Sequence, residues 1–240
     1  MVQAELAYFA ARTGDFSSAQ QASEAAKREL ELADRSTLAD EDRHGYEEAA
    51  LRVAAVRWAN ESGASPSGST GELAVEVAAG SPGQTCVRLS GHAAPQAPPF
   101  EHCTYAVVWP SSIRVAPRGT SVSIVLQPLV GWSELLVFHP TAAGWAADTL
   151  TPASVDPELG YVELAGFSPD GAHLLVVREA RVTGPLGSPH TAAPQVEKRF
   201  QVVTTESLQV EKQSSTLVNF PTFRRWQAPD WKRGTLALRQ

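Results

Sequence analysis

Two stretches of this chain follow one plan. Val115-Ala116-Pro117-Arg118-Gly119-Thr120-Ser121-Val122-Ser123-Ile124-Val125 and Phe167-Ser168-Pro169-Asp170-Gly171-Ala172-His173-Leu174-Leu175-Val176-Val177 each run from an apolar residue through proline and glycine into an aliphatic segment. Pro117 and Pro169, Gly119 and Gly171, Ile124 and Val176 stand at one common offset. Proline presets the backbone for a turn and glycine admits the left-handed conformation, so each stretch reads as a β-hairpin. Recurrence at a fixed spacing predicts repeated units of antiparallel sheet, blade-like in form. Such a scaffold does not name its ligand.

Further runs of Val, Ile, Leu, Thr and aromatic residues, bounded by Gly, Pro, Ser or Asn, extend the pattern. They predict strands over 73–78, 85–89, 104–108, 113–115, 121–127, 134–139, 145–150, 162–167, 173–178, 199–204, 208–211 and 235–238. After the shared hairpin each copy gains a third strand, Leu135-Leu136-Val137-Phe138 in one and Phe200-Gln201-Val202-Val203 in the other. A fourth follows near Trp145 and near Leu208. The blade-like units then cover 111–151 and 160–213, with a partial third over 221–240. The second unit carries a proline-rich excursion, 183–194, that cannot pair as a strand interior and is expected to project as a loop.

Residues 1–61 differ in kind, rich in Ala, Glu and Arg and free of proline. Gly14 is placed to end a first helix in the left-handed conformation, and Asp15 to start a second that runs through Ala26 and Leu30. Asp40 could cap a third helix with Tyr46, Ala50, Val53, Ala54 and Trp58 on one face. A Ser/Gly-rich linker at 62–71 leads into the β-rich region 72–240. The expected fold class is therefore α+β, a helical segment followed by a mainly antiparallel β region with propeller-blade-like repeats.

Two resemblances follow from these residues. Gly14-Asp15-Phe16-Ser17-Ser18-Ala19 resembles the turn of a tetratricopeptide helical hairpin, in which Gly-Asp-aromatic-x-x-Ala joins two helices; a generic antiparallel helix pair fits the same residues. Phe167-Ser168-Pro169-Asp170-Gly171, followed by an aliphatic strand, resembles the WD40-like repeats of bacterial TolB-type β-propellers. The first copy keeps only the proline and glycine of that motif. The resemblance implies a non-catalytic scaffold of the bacterial envelope. Two units plus a fragment fall short of the roughly four to eight blades that close a propeller, so the strand edges would need partners.

The chain has 240 residues and a formal charge of −6, which gives no reason to expect a nucleic-acid partner. No apolar run approaches the roughly 18 residues of a membrane-spanning helix, and the N-terminus shows no leader pattern. The two cysteines, Cys86 and Cys103, flank a proline-rich loop. A disulfide across its base would contribute roughly 3 kcal/mol; two free buried thiols are the alternative. The first points to a periplasmic or extracellular protein, the second to a cytoplasmic one.

Neither a nucleophile elbow, a zincin helix, a phosphate-binding loop nor an EF-hand pattern occurs, so no enzyme activity, cofactor or metal is expected. His92, His102 and Glu101 near the cysteines are too few for a metal site. The segment Phe223-Arg224-Arg225-Trp226-Gln227-Ala228-Pro229-Asp230-Trp231-Lys232-Arg233 interleaves cations and aromatics. Its tryptophans either pack inside, with cations reaching solvent, or form a protein-binding surface. The candidate contact residues are Arg224, Arg225, Trp226, Trp231, Lys232 and Arg233, with Leu186 and His190 of the long loop. The expected function is a binding or scaffolding module with a protein partner or a second copy. The alternatives are the non-catalytic part of a propeller-containing hydrolase and a self-contained cytosolic protein.

Overall fold

A computed structural model describes residues 2–59, 73–91, 99–142, 144–153, 159–182, 195–218 and 220–236. Helices α1 (Val2–Arg12) and α2 (Phe16–Leu32) form an antiparallel pair. Gly14 takes φ +83° between them, and the Asp15 carboxylate caps α2 by accepting from the Ser18 N–H at 3.0 Å, both as expected from the sequence. Helix α3 (Asp40–Val56) continues into a single tight turn, Arg57–Ala59. Buried Ser23 of α2 donates to the Val56 carbonyl at 3.0 Å, tying the pair to the third helix. The expected linker at 62–71 lies outside the described residues.

Strands β1 (Ala74–Ala79), β2 (Thr85–Ser90) and β3 (Phe100–Thr104) make a three-stranded antiparallel sheet. Eight more follow: β4 (Val107–Val115), β5 (Val122–Leu129), β6 (Trp132–Thr141), β7 (Gly144–Leu150), β8 (Gly160–Phe167), β9 (His173–Val182), β10 (Gln195–Thr204) and β11 (Val210–Ser214). Their order is β11-β10-β9-β8-β6-β5-β4, with β7 on β6. Pairing is antiparallel within β4–β7 and within β8–β11, and a short parallel contact of β6 with β8 joins the two sets. This is one continuous sheet, and its order is not that of a closed ring of separate blades. Residues 110–112, expected to separate two strands, instead continue β4 through an irregularity. There the Ser112 hydroxyl accepts the Val125 N–H at 2.7 Å and replaces the interrupted ladder bond.

The two hairpin turns carry matching backbone bonds. Ala116 N–H donates to the Ser121 carbonyl at 2.8 Å and Gly119 N–H to the Ala116 carbonyl at 3.0 Å. At the matched positions, Ser168 N–H donates to the His173 carbonyl at 3.0 Å and Gly171 N–H to the Ser168 carbonyl at 2.9 Å. The turns also touch, since Thr120 Oγ1 donates to the Gly171 carbonyl at 3.4 Å. With strands about 4.8 Å apart and β6 lying between β5 and β8, such contact requires the sheet to curl on itself. One core cluster accordingly draws Val125, Leu135 and Val137 from the first set and Val162, Leu164, Leu174 and Val176 from the second. Ala7, Tyr8, Leu30, Val53 and Trp58 of the helical segment share it.

The outer faces are covered separately. Leu73 and Val75, with Val87 and Leu89 of β2, pack on Ile124, Leu136 and Phe138. Over the other set, the residues expected to begin a third blade-like unit are helical: α4 (Pro221–Trp226) and α5 (Pro229–Leu236). This corrects the strand expected at 235–238, whose first two residues lie in α5 and whose last two lie outside the described residues. Pro221 and Pro229 open helices, a position where the missing N–H costs nothing. Phe220, Phe223 and Trp231 then bury against Ala165, Leu175, Val177, Phe200 and Val202.

Candidate functional site

Helix α1 is apolar on two sides. Ala4, Ala7, Tyr8 and Ala11 are buried against the core. Val2, Leu6 and Phe9, spaced by one helical turn or nearly so, form a second stripe that is 68%, 50% and 54% exposed. The groove that this stripe shares with α2 has a volume of about 550 Å³. Gln3, Leu6, Phe9, Ala10, Thr13, Ser18, Gln21 and Ala22 line it, and none of them is charged. Phe16, in the first turn of α2, remains 42% exposed while its ring meets Trp109 edge-on at 6.0 Å. Single exposed apolar residues are ordinary, whereas a continuous apolar stripe on a helix already packed on its other side marks an interaction surface.

A second cleft of about 320 Å³ is lined in part by the α1–α2 turn, through Arg12, Gly14 and Phe16. Val77, Ala78 and Ala79 of β1 line it with Val107, Val108 and Pro110 of β4, together with Arg12, Phe16 and Tyr105. Tyr8 donates its hydroxyl to the Pro128 carbonyl at 3.0 Å and accepts from Arg12 Nη1 at 3.1 Å. The helical segment is thus pinned to the β5–β6 connection, and the guanidinium is oriented at the cleft.

The C-terminal segment takes the inward arrangement for its aromatics. Trp231 is buried, with Nε1 donating to Glu163 Oε1 at 2.6 Å, and Trp226 stacks on His173 with ring centres 5.9 Å apart. Trp231 is thus sealed from solvent, whereas Trp226 is half-buried and keeps part of its ring accessible. Arg224 and Arg225 of α4 and Lys232 of α5 are exposed and form no ion pair among the described residues. The side chain of Arg233, and Leu186 and His190 with the whole 183–194 excursion, lie outside the described residues.

The cysteines are joined. Cys86 and Cys103 face one another across β2 and β3 and form a disulfide. Glu101 lies close to both sulfurs, but two sulfurs bonded to each other are not thiolate ligands, so this cluster holds no metal as it stands. His102 packs edge-on against Phe138 at 6.3 Å. The other described histidines meet carboxylates: His139 with Asp148 at 2.7 Å, His173 with Glu211 at 3.1 Å and His44 with Glu48 at 3.4 Å. Ser121, Ser123 and Ser133 bury their hydroxyls without a hydrogen-bond partner, and a sealed hydroxyl cannot meet a substrate.

The strongest polar contact in the core is structural in geometry. Glu163 of β8 pairs with Arg57 at 2.6 Å while accepting from Trp231, so one carboxylate joins the helical segment, the sheet and α5. Sequence reasoning missed both the α1 stripe and the β1 edge. The stripe had a signal, since Val2, Leu6 and Phe9 stand at i, i+4 and i+7 beside a second apolar set at Ala4, Ala7, Tyr8 and Ala11. Comparison of the chain with protein-family models, with curated proteins and with solved structures finds no match.

Proposed function

We propose that this chain is a non-catalytic protein-binding module, working where disulfides persist, in the periplasm or outside the cell. One observation carries the reading: the uncharged apolar stripe Val2, Leu6 and Phe9 on α1, backed by a helix pair fixed to the sheet. An apolar groove between two helices suits an amphipathic partner helix, which lays its apolar side into such a groove. The Cys86–Cys103 disulfide supports the oxidising compartment. The matched turns and the two four-strand sets support a blade-like scaffold whose work is to hold the helical segment in place.

Photo-crosslinking tests the reading. A benzophenone amino acid replaces Phe9 in one variant and Gln20, on the solvent side of α2, in another, each in the source cells. A discrete protein adduct at position 9 that is missing at position 20 is the expected result. Equal or no adducts at both positions would contradict it.

A further inference from the structure

We infer that the free edge of β1 accepts an extended segment of the partner protein as an added strand, with an acidic side chain of that segment taken by Arg12. This rests on the reading of the chain as a protein-binding module and gives that module a second contact of defined chemistry.

The hydrogen-bond phase of β1 decides which groups are free. Gly80 N–H donates to the Gln84 carbonyl at 3.0 Å, and the register runs Ala78↔Cys86, Glu76↔Arg88 and Ala74↔Ser90. In an antiparallel pair the bonded positions alternate. Ala74, Glu76 and Ala78 therefore turn their N–H and C=O groups toward β2, while Val75, Val77 and Ala79 turn theirs outward. β1 ends its sheet, and no backbone partner faces those outward groups among the described residues. A row of donors and acceptors at every second residue is the template for another strand.

Two features distinguish this edge from that of β11. The edge strand β11 carries Glu211 and Lys212, charges of the kind that discourage strand addition. The Val77–Ala79 half of β1 is uncharged and lines the 320 Å³ cleft. The cleft also supplies what a bare edge lacks: the aromatics Phe16 and Tyr105, 42% and 61% exposed, for the side chains of an incoming strand. Arg12 is the one charged residue lining the cleft. It gives one donor to the Tyr8 hydroxyl and has no ion pair among the described residues. A guanidinium so oriented, with donors to spare, is complementary to a carboxylate.

The test uses the whole chain and a displayed library of random heptapeptides flanked on both sides by carrier sequence. The most enriched heptapeptide is synthesised with both ends blocked, then titrated against the chain and mapped by hydrogen exchange. It is expected to carry Asp or Glu and to slow exchange at Val75, Val77 and Ala79. Val77→Pro deletes an outward donor and leaves the β1–β2 bonds in place; it should weaken binding by about tenfold or more. Arg12→Gln should weaken it by about tenfold, and should abolish the difference between the acidic peptide and its amide counterpart. Should Val77→Pro fail to fold, methylation of alternate peptide amides replaces it, with the same loss expected. No enrichment, binding that maps elsewhere, binding indifferent to these changes, or β1 pairing with β1 of a second copy would each overturn the inference. A crosslink at position 9 together with any of those outcomes leaves the proposed function standing; no crosslink and no peptide binding ends both.

Discussion

At the scale of single residues, two positions carry more than their sequence context suggests. Gly171 has φ +74°, and a Cβ there would lie 2.4 Å from Thr120 Oγ1 and 3.0 Å from the Pro117 carbonyl oxygen. The side chain is missing because the two turns meet at that point. Gly171→Ala should therefore cost more than about 1 kcal/mol in urea unfolding, a loss that the usual gain from reducing backbone freedom does not offset. Glu163 is 1% exposed and holds both Arg57 and Trp231. Glu163→Gln keeps an acceptor for the indole but strands a buried guanidinium, at an expected cost of about 3–5 kcal/mol. Glu163→Leu combined with Arg57→Met should be less damaging than Glu163→Gln alone, measured by the same denaturation. The turn glycine was legible in the sequence because turn chemistry is local. The ion pair was not, because nothing local relates residue 57 to residue 163.

At the scale of elements, the helical segment and the sheet are joined by charge as well as by packing. Glu48 of α3 accepts from Arg181 of β9 at 2.6 Å and from Arg52 at 3.4 Å. Partial burial pushes its carboxyl up, but the two arginines outweigh that and hold it below the ordinary value of 4.5. A carboxyl lowered in the folded state stabilises the fold above its unfolded value, and that contribution disappears as pH falls through the lowered one. Stability should therefore drop below about pH 4.5 in the native chain, and Arg181→Met should flatten that part of the curve in chemical denaturation across pH. The α1–α2 turn was readable in advance from Gly14 and Asp15, and the paired cysteines from the loop between them. The helices α4 and α5 were not, since Pro221 and Pro229 punctuate a strand pattern as readily as they open a helix. Their identity came from what they cover: Phe223 and Trp231 bury against a face of β8–β10, where a partial third strand unit had been expected over 221–240.

At the scale of the whole molecule, each broad face of the curled sheet has a cover. The helical segment closes the shared interior, β1–β3 cover the outside of one set of strands, and α4–α5 cover the other. Among what remains uncovered in the described residues are the outer stripe of α1 and the edge of β1. No described helix is long and apolar enough to cross a membrane. Edge and exposure are properties of the assembled chain, and this is why the proposed contact surface was the least legible part of the sequence while the α+β order was the most. Hydrogen exchange measured on the chain alone, and again on the chain carrying its partner captured from the source cells, tests the central claim most directly. Slowed exchange concentrated in α1 and β1 is the expected result. Unchanged exchange there, with protection at α4–α5 or nowhere, would contradict it.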